Sequence, residues 1–272
     1  MTYMMFDDGP IGGGTEAGTF ASVGSAMGGI RGRIAFGNGF SIQLGLAYGA
    51  ETYANATLSG APFGALSLRY VMDMGGGFHP YVEAGGWMTP TANMKFSRSY
   101  INGGGVATVS GKTNGVLSYY FGRLGIAYQV DPSDQIALST ELGQSALSID
   151  AYSEALSAAN PFPAAVSSGT TSLTVAKIRG QWTHNFTDKI DATAYAGVSF
   201  GFNGRTSIVG AVTGVGTFAP VTVGNATWGE LGLRLGYKIT PNIKINAFAN
   251  GEVGDSHIGN AVHVGLGLDA KF

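Results

Sequence analysis

Apolar and polar side chains alternate with a period of two along almost the whole chain, and this restricts the fold more than any other feature. In Ala261 to Phe272 the apolar set is Val262, Val264, Leu266, Leu268, Ala270 and Phe272, separated by His263, Gly265, Gly267, Asp269 and Lys271. Thr227 to Ile239 repeats it, with Leu231, Leu233, Leu235, Tyr237 and Ile239 against Glu230, Gly232, Arg234, Gly236 and Lys238. Phe40, Ile42, Leu44, Leu46 and Tyr48 do the same against Ser41, Gln43, Gly45 and Ala47. Successive side chains of a strand point to opposite sides, so each run is a strand with one greasy face and one polar or small face. No segment has the 3.6-residue period of a helix.

Turn compositions divide this pattern. The short breaks are Gly37-Asn38-Gly39, Gly75-Gly76-Gly77, Asp131-Pro132-Ser133-Asp134, Asn185 to Asp188 and Thr240-Pro241-Asn242, all rich in residues that favour tight turns. Between them fall stretches that read as long polar loops: Asn55 to Pro62, Ser97 to Gly115, Asp150 to Thr171, Asn203 to Asn225 and Gly254 to Asn260. Short breaks and long loops alternate, the plan of outer-membrane barrels with brief periplasmic turns and extended outer loops. Phe36, Phe40, Tyr70, Phe78, Tyr128, Phe186, Tyr237 and Phe272 sit near the short breaks or the terminus, as an interfacial aromatic belt would.

Composition says what covers the greasy faces. Only 12% of the 272 residues are charged, about half the share of a soluble domain, and the mean hydropathy is +0.16. Lipid is the implied neighbour. A helical span needs about 20 apolar residues, but the longest charge-free run, Thr206 to Gly229, is broken by four glycines and Pro220. A net charge of -2 offers no basic patch for nucleic acid, so no nucleic-acid partner is expected. The absence of cysteine excludes disulfides and thiolate metal sites and suits an exported chain. Met1 to Phe20 has no Lys or Arg and no apolar core, so it does not read as a secretory signal.

The charges test the barrel reading. With every greasy face turned to lipid, Arg31, Arg33, Glu51, Arg69, Glu83, Arg123, Glu141, Lys177, Arg179, Glu230, Arg234, Lys244 and Glu252 fall on the opposite face and are expected to line a pore. A charge at mid-bilayer on the lipid face costs about 2 to 4 kcal/mol, which explains the segregation. Arg123 with Glu141 and Arg69 with Glu83 are candidates for mutual pairing across neighbouring strands, the alternative being a selectivity filter.

The expected fold is all-β: a closed antiparallel transmembrane β-barrel of about twelve strands. Counting back from Phe272 gives Ala261 to Phe272, Ile243 to Val253, Thr227 to Ile239, Lys189 to Phe202, Leu173 to His184, Gln135 to Ile149, Val116 to Val130, Phe78 to Lys95, Phe63 to Met74, Phe40 to Ala54 and Ser22 to Phe36. That is an odd number, and bacterial single-chain barrels are even, so Thr2 to Asp7 is expected to supply the missing strand. Residues 1–19 then form an N-terminal segment and 20–272 the barrel.

The size, strand count, glycine-rich run Trp228 to Asn242 and ending Val264-Gly265-Leu266-Gly267-Leu268-Asp269-Ala270-Lys271-Phe272 resemble the translocator (β) domain of autotransporters. The ending is also similar to the signal read by the outer-membrane barrel-assembly machinery, with Leu266, Gly267, Leu268, Ala270 and Phe272 as its elements. The resemblance implies a bacterial outer-membrane barrel that anchors an upstream passenger domain and passes it to the cell surface. The partners it implies are the lipid bilayer, the assembly machinery and the passenger.

Other motifs read as bland. Gly197-Val198-Ser199-Phe200-Gly201 spells G-x-S-x-G, but it lies inside an alternating strand instead of a strand-turn-helix elbow. Gly111-Lys112-Thr113 lacks the upstream glycine and following helix of a phosphate loop. His79, His184, His257 and His263 are scattered without metal-ligand spacing, although Ser199, His263 and an acid could meet in space. The three glycosylation sequons, at Asn55, Asn185 and Asn225, carry no weight in a bacterial barrel. No catalytic residue, cofactor or metal is expected. The competing functions are a small passive porin or solute channel, whose eight lumen cations against five glutamates would lean it toward anions, and a structural or adhesive surface barrel.

Overall fold

The computed structural model describes residues 15–23, 26–52, 56–103, 105–218, 223–254 and 260–272, with residues 16, 18, 20–23, 51 and 52 described by their backbone alone. The described elements are strands. The long ones are β1 (Glu16–Val23), β2 (Ala26–Ala35), β3 (Phe40–Thr52), β4 (Ala56–Val71), β5 (Phe78–Asn102), β6 (Gly105–Gln129), β7 (Asp134–Ile149), β10 (Gly169–Asn185), β11 (Ile190–Thr206), β14 (Ala226–Thr240), β15 (Ile243–Gly254) and β16 (Asn260–Lys271). Four short strands, β8 (Tyr152–Ser153), β9 (Ala164–Val166), β12 (Gly210–Val212) and β13 (Gly216–Phe218), form a separate small sheet.

Pairing in the main sheet is antiparallel and runs β1-β16-β15-β14-β11-β10-β7-β6-β5-β4-β3-β2. Because β1 is bonded to β2 as well as to β16, the sheet is a closed barrel. The alternation seen in the sequence separates two surfaces. Ile30, Leu44, Leu46, Leu66, Leu124, Leu138, Leu142, Leu231, Leu235, Val262 and Leu266 are exposed on the outside, whereas Gln43, Ser67, Arg69, Glu83, Thr193 and Ser199 are buried within. An apolar outside around a polar inside is the reverse of a water-soluble domain, and an apolar outer surface of this extent needs a lipid neighbour.

The short turns close as their sequences suggest. Gly37, Gly39, Gly75, Gly76 and Gly77 take positive φ, which only glycine adopts freely. Asp131 Oδ1 accepts the backbone N–H groups of Ser133 and Asp134 at 2.7 and 2.9 Å, while the Thr187 and Thr240 hydroxyls accept those of Ile190 and Ile243. Aromatic side chains cluster at this end. Phe78 meets Tyr128 at 4.6 Å between centroids, and His184 lies between Trp182 and Phe186.

Several expected boundaries move. Ser97 to Gly115 is not a loop: β5 and β6 stay paired out to Asn102 opposite Gly105, so their hairpin rises well beyond its neighbours. Polarity misled here, because polar strand residues above an apolar band look like loop. Likewise β4 starts at Ala56 inside the expected Asn55 to Pro62 loop, and β8, β9, β12 and β13 interrupt the two longest ones. The strand expected at Ser22 to Phe36 is divided, with Ser22 in β1 opposite Met27 of β2. Thus β1 reaches back across the boundary expected at residue 20, and Thr2 to Asp7 lies outside the described residues, as do 255–259.

A bulge in β5 re-aims side chains at the long-loop end. The β5 register against β6 shifts between Thr89 and Ala92, beside Pro90, which has no N–H to donate. Before the shift, odd-numbered Tyr81 and Glu83 are buried inside; after it, even-numbered Ala92 and Met94 are.

Candidate functional site

Arg69, Glu83, Arg123, Glu141 and Lys177 form one cross-strand row over β4, β5, β6, β7 and β10, each directly opposite the next. Charge alternates in sign along it. Arg69 Nη2 lies 3.1 Å from Glu83 Oε2, and Arg123 Nη1 reaches the same oxygen at 2.8 Å. Arg123 also meets Glu141 Oε2 through Nε at 3.0 Å and Nη2 at 2.5 Å, and the Tyr119 hydroxyl donates to Glu141 Oε1 at 2.5 Å. Pairing of this kind is what lets charges sit on a wall with little water.

Glu230 on β14 gathers the second cluster. Its carboxylate accepts from Lys177 Nζ at 2.9 Å, Arg179 Nη2 at 2.9 Å, the Ser199 hydroxyl at 2.8 Å and Trp228 Nε1 at 3.1 Å. β11 stands between the cations and Glu230, and the register puts Gly197 between Arg179 and Glu230. With no side chain at 197, Arg179 crosses that strand unhindered. Glu252 lies opposite Glu230 in register.

Two acids missing from the expected set complete the wall. Asp269 is 2.7 Å from Arg31 and also accepts from the Asn246 amide, while Asp191 lies 3.7 Å from Arg234 and 3.6 Å from Lys244. Both occupy the polar phase of their strands, so the alternation that exposed the glutamates could have found them. Arg33 is buried on β2. The side chain of Glu51 lies outside the described residues. Asp191 and Asp269 add two acids to the wall beyond the expected set, which reduces the expected anion bias.

Tyrosine rings cover glycines on neighbouring strands. A Cβ at Gly125 would stand 2.3 Å from the Tyr81 ring, one at Gly143 2.4 Å from the Tyr119 hydroxyl, and one at Gly232 2.0 Å from the Tyr195 ring. Toward the long loops the inside turns apolar, with Met27, Ala47, Leu58, Phe63, Met94, Ile149 and Val166 in one buried cluster flanked by Trp87 and Leu117.

The loop between β7 and β10 is anchored to the tall hairpin. Arg98 clamps Glu154 with bonds of 2.9 and 2.6 Å and donates to the Phe162 carbonyl, while Tyr100 donates to Asn160. Burial disfavours the Glu154 charge, but Arg98 and the Ala164 N–H outweigh it and hold the carboxyl below its ordinary value. Tyr152 stacks on Phe96 at 6.0 Å.

Ser199 and His263 are held apart. The register places His263 three strands over from β11 and level with Tyr195, four residues along from Ser199, which is about 20 Å at the usual strand spacing and rise. In the last strand Leu266 and Leu268 face outward, Gly267 and Ala270 lie opposite Asn246 and Ile243, and Phe272 is almost fully exposed.

No protein-family model matches the sequence, and no curated protein is significantly similar to it. Solved structures do match in fold. The translocator domain of the autotransporter NalP from Neisseria meningitidis superposes with a TM-score of 0.67 at 17% identity, over 100% of this chain and 92% of that one. The β domain of the Bordetella autotransporter BrkA gives 0.51 at 16%, over 96% and 99%. The Ralstonia pickettii toluene transporter TbuX gives 0.54 at 9%, over 96% and 90%. The chain therefore has the fold of outer-membrane β-barrels, and its structural neighbours include autotransporter translocator domains as well as channels.

Proposed function

We propose that this chain is a twelve-stranded translocator of the bacterial outer membrane, which anchors an upstream passenger and gives it a route to the cell surface. The carrying observation is the self-neutralised wall: the row from Arg69 to Lys177 alternates in sign, and Glu230 absorbs the cations at its end. A polar surface without a strong net field holds neither sign of charge tightly, which suits a polypeptide of mixed sequence better than selection of one small ion. The likeness to the NalP translocator domain over the full chain supports this reading. The short turns would face the periplasm and the long loops the exterior, with Leu266, Gly267, Leu268, Ala270 and Phe272 read by the assembly machinery.

The test is a reporter domain with an export signal fused ahead of residue 1. Protease added to intact cells should remove the reporter only when the barrel is present; a reporter that stays protected in the periplasm sinks the proposal. A second reading, a channel for small apolar solutes, is favoured by the buried apolar cluster around Phe63 and Met94. Uptake of such a solute by cells carrying the barrel without a passenger would support that reading.

A further inference from the structure

We infer that the outer surface of the tall hairpin carries a binding site for the phosphorylated sugar headgroup of an outer-leaflet glycolipid. The site rests on the placement of the long loops outside the cell, and not on the passage of a passenger. Lys95 of β5 and Lys112 of β6 lie directly opposite each other, both exposed. Like charges face to face across a ladder destabilise it unless something anionic lies between them. The other cross-strand lysine pair, Lys238 with Lys244, has Asp191 at 3.6 Å from Lys244. Around Lys95 and Lys112 no ion pair forms among the described residues, and the acid nearest in register, Asp150, lies beside Asn114 without pairing to either.

The surroundings supply the rest of a site. Thr57, Ser59, Asn93 and Asn114 join the two lysines around an open groove of about 650 Å³, so hydroxyl and amide groups flank two ammonium groups. That set suits phosphate and sugar oxygens. The face is the barrel's outside, because Leu58 and Met94, the residues of opposite phase, are buried within. Exposed Tyr48 marks the upper edge of the apolar band, and its hydroxyl and the Asn93 amide both border Gly60. Lys112 is eight residues beyond exposed Tyr120 on the same strand face, about 27 Å along the strand, which puts the lysines at the level of headgroup sugars and clear of the acyl chains.

The experiment measures binding of purified lipopolysaccharide to the folded barrel in detergent by microscale thermophoresis. K95Q/K112Q should weaken binding at least tenfold, and phosphatase treatment of the glycolipid should weaken binding to the wild type by a similar factor. K189Q/K238Q, at the opposite end, should bind as the wild type does. Equal binding by K95Q/K112Q, an equal loss in K189Q/K238Q, equal affinity for phosphatidylglycerol vesicles, or displacement by millimolar inorganic phosphate would each overturn the site. Surface display of a passenger is read separately, so failure there leaves this result interpretable.

Discussion

Arg31 and Asp269 form an ion pair of 2.7 Å although a whole strand, β1, lies between the strands that carry them. The register puts Gly18 of β1 opposite both, so no side chain obstructs the contact. Arg179, Gly197 and Glu230 repeat the arrangement on the far wall. Glycine between two charges lets an ion pair tie three strands instead of two, and in the first case it ties the end of the chain to its beginning.

Removing one partner should therefore weaken the seam. Asp269→Leu removes the carboxylate that Arg31 and Asn246 share and should cost about 3 kcal/mol, the lower end for breaking a buried pair. The double variant R31M/D269L should recover most of that loss. Urea unfolding of the barrel in detergent, followed by the shift of the unheated band on a gel, measures both. Additive losses in the double variant would show that the pair is not coupled.

The glycines under tyrosine rings make a second prediction. Gly125→Ala drives a methyl into the Tyr81 ring and should destabilise by about 1 to 3 kcal/mol through overpacking. Gly122→Ala, where no atom lies within 4 Å of the added carbon, should stay within about 0.5 kcal/mol of the wild type. The same unfolding assay separates them, and equal losses would mean that the ring moves aside freely.

These contacts also mark where sequence reading ends. Period-two alternation located every strand of the wall except β1, because lipid penalises a single polar slip by kilocalories. Above the band that penalty vanishes. Ser97 to Gly115 looked like loop because both faces of the β5 and β6 hairpin can be polar there, and hydrogen-bond pairing alone keeps it a strand. The start of the ring was missed because Glu16 to Val23 is short and rich in small residues. Glu230 was legible as an inward acid, but not as the meeting point of four donors from three strands, since that depends on register and on which neighbour is glycine. Asp191 and Asp269 were overlooked although they sit in the polar phase.

The Arg98 clamp gives the outer loops a dependence on pH. The folded Glu154 carboxyl titrates below its ordinary value of 4.5, so its contribution is complete above that value and disappears as pH falls through the lower folded one. Between pH 7 and 5 the loop should resist added protease uniformly. Below about pH 4 cleavage near Ala155 to Ala159 should accelerate. E154Q, which cannot bind Arg98 as a carboxylate, should be cut at the low-pH rate throughout. A loop equally resistant in E154Q at every pH would show that Tyr152 on Phe96 and Tyr100 on Asn160 suffice to hold it.

Topology is open to direct test because the native chain has no thiol. Thr213, in the turn between β12 and β13, and Ser157, in the loop held by Arg98, are both exposed at the long-loop end, whereas Asn38 and Ser133 lie in short turns at the other. Each tolerates cysteine, since none is buried. On intact cells an impermeant maleimide should label T213C and S157C, and should reach N38C and S133C only after the outer membrane is opened. The loop at 157 carries a further control: R98A should raise the labelling rate of S157C by freeing Glu154, and should leave T213C unchanged if the clamp acts on that loop alone. Labelling of N38C and S133C with protection of the other two would invert the barrel, and would put the dilysine groove on the periplasmic side, out of reach of an outer-leaflet glycolipid.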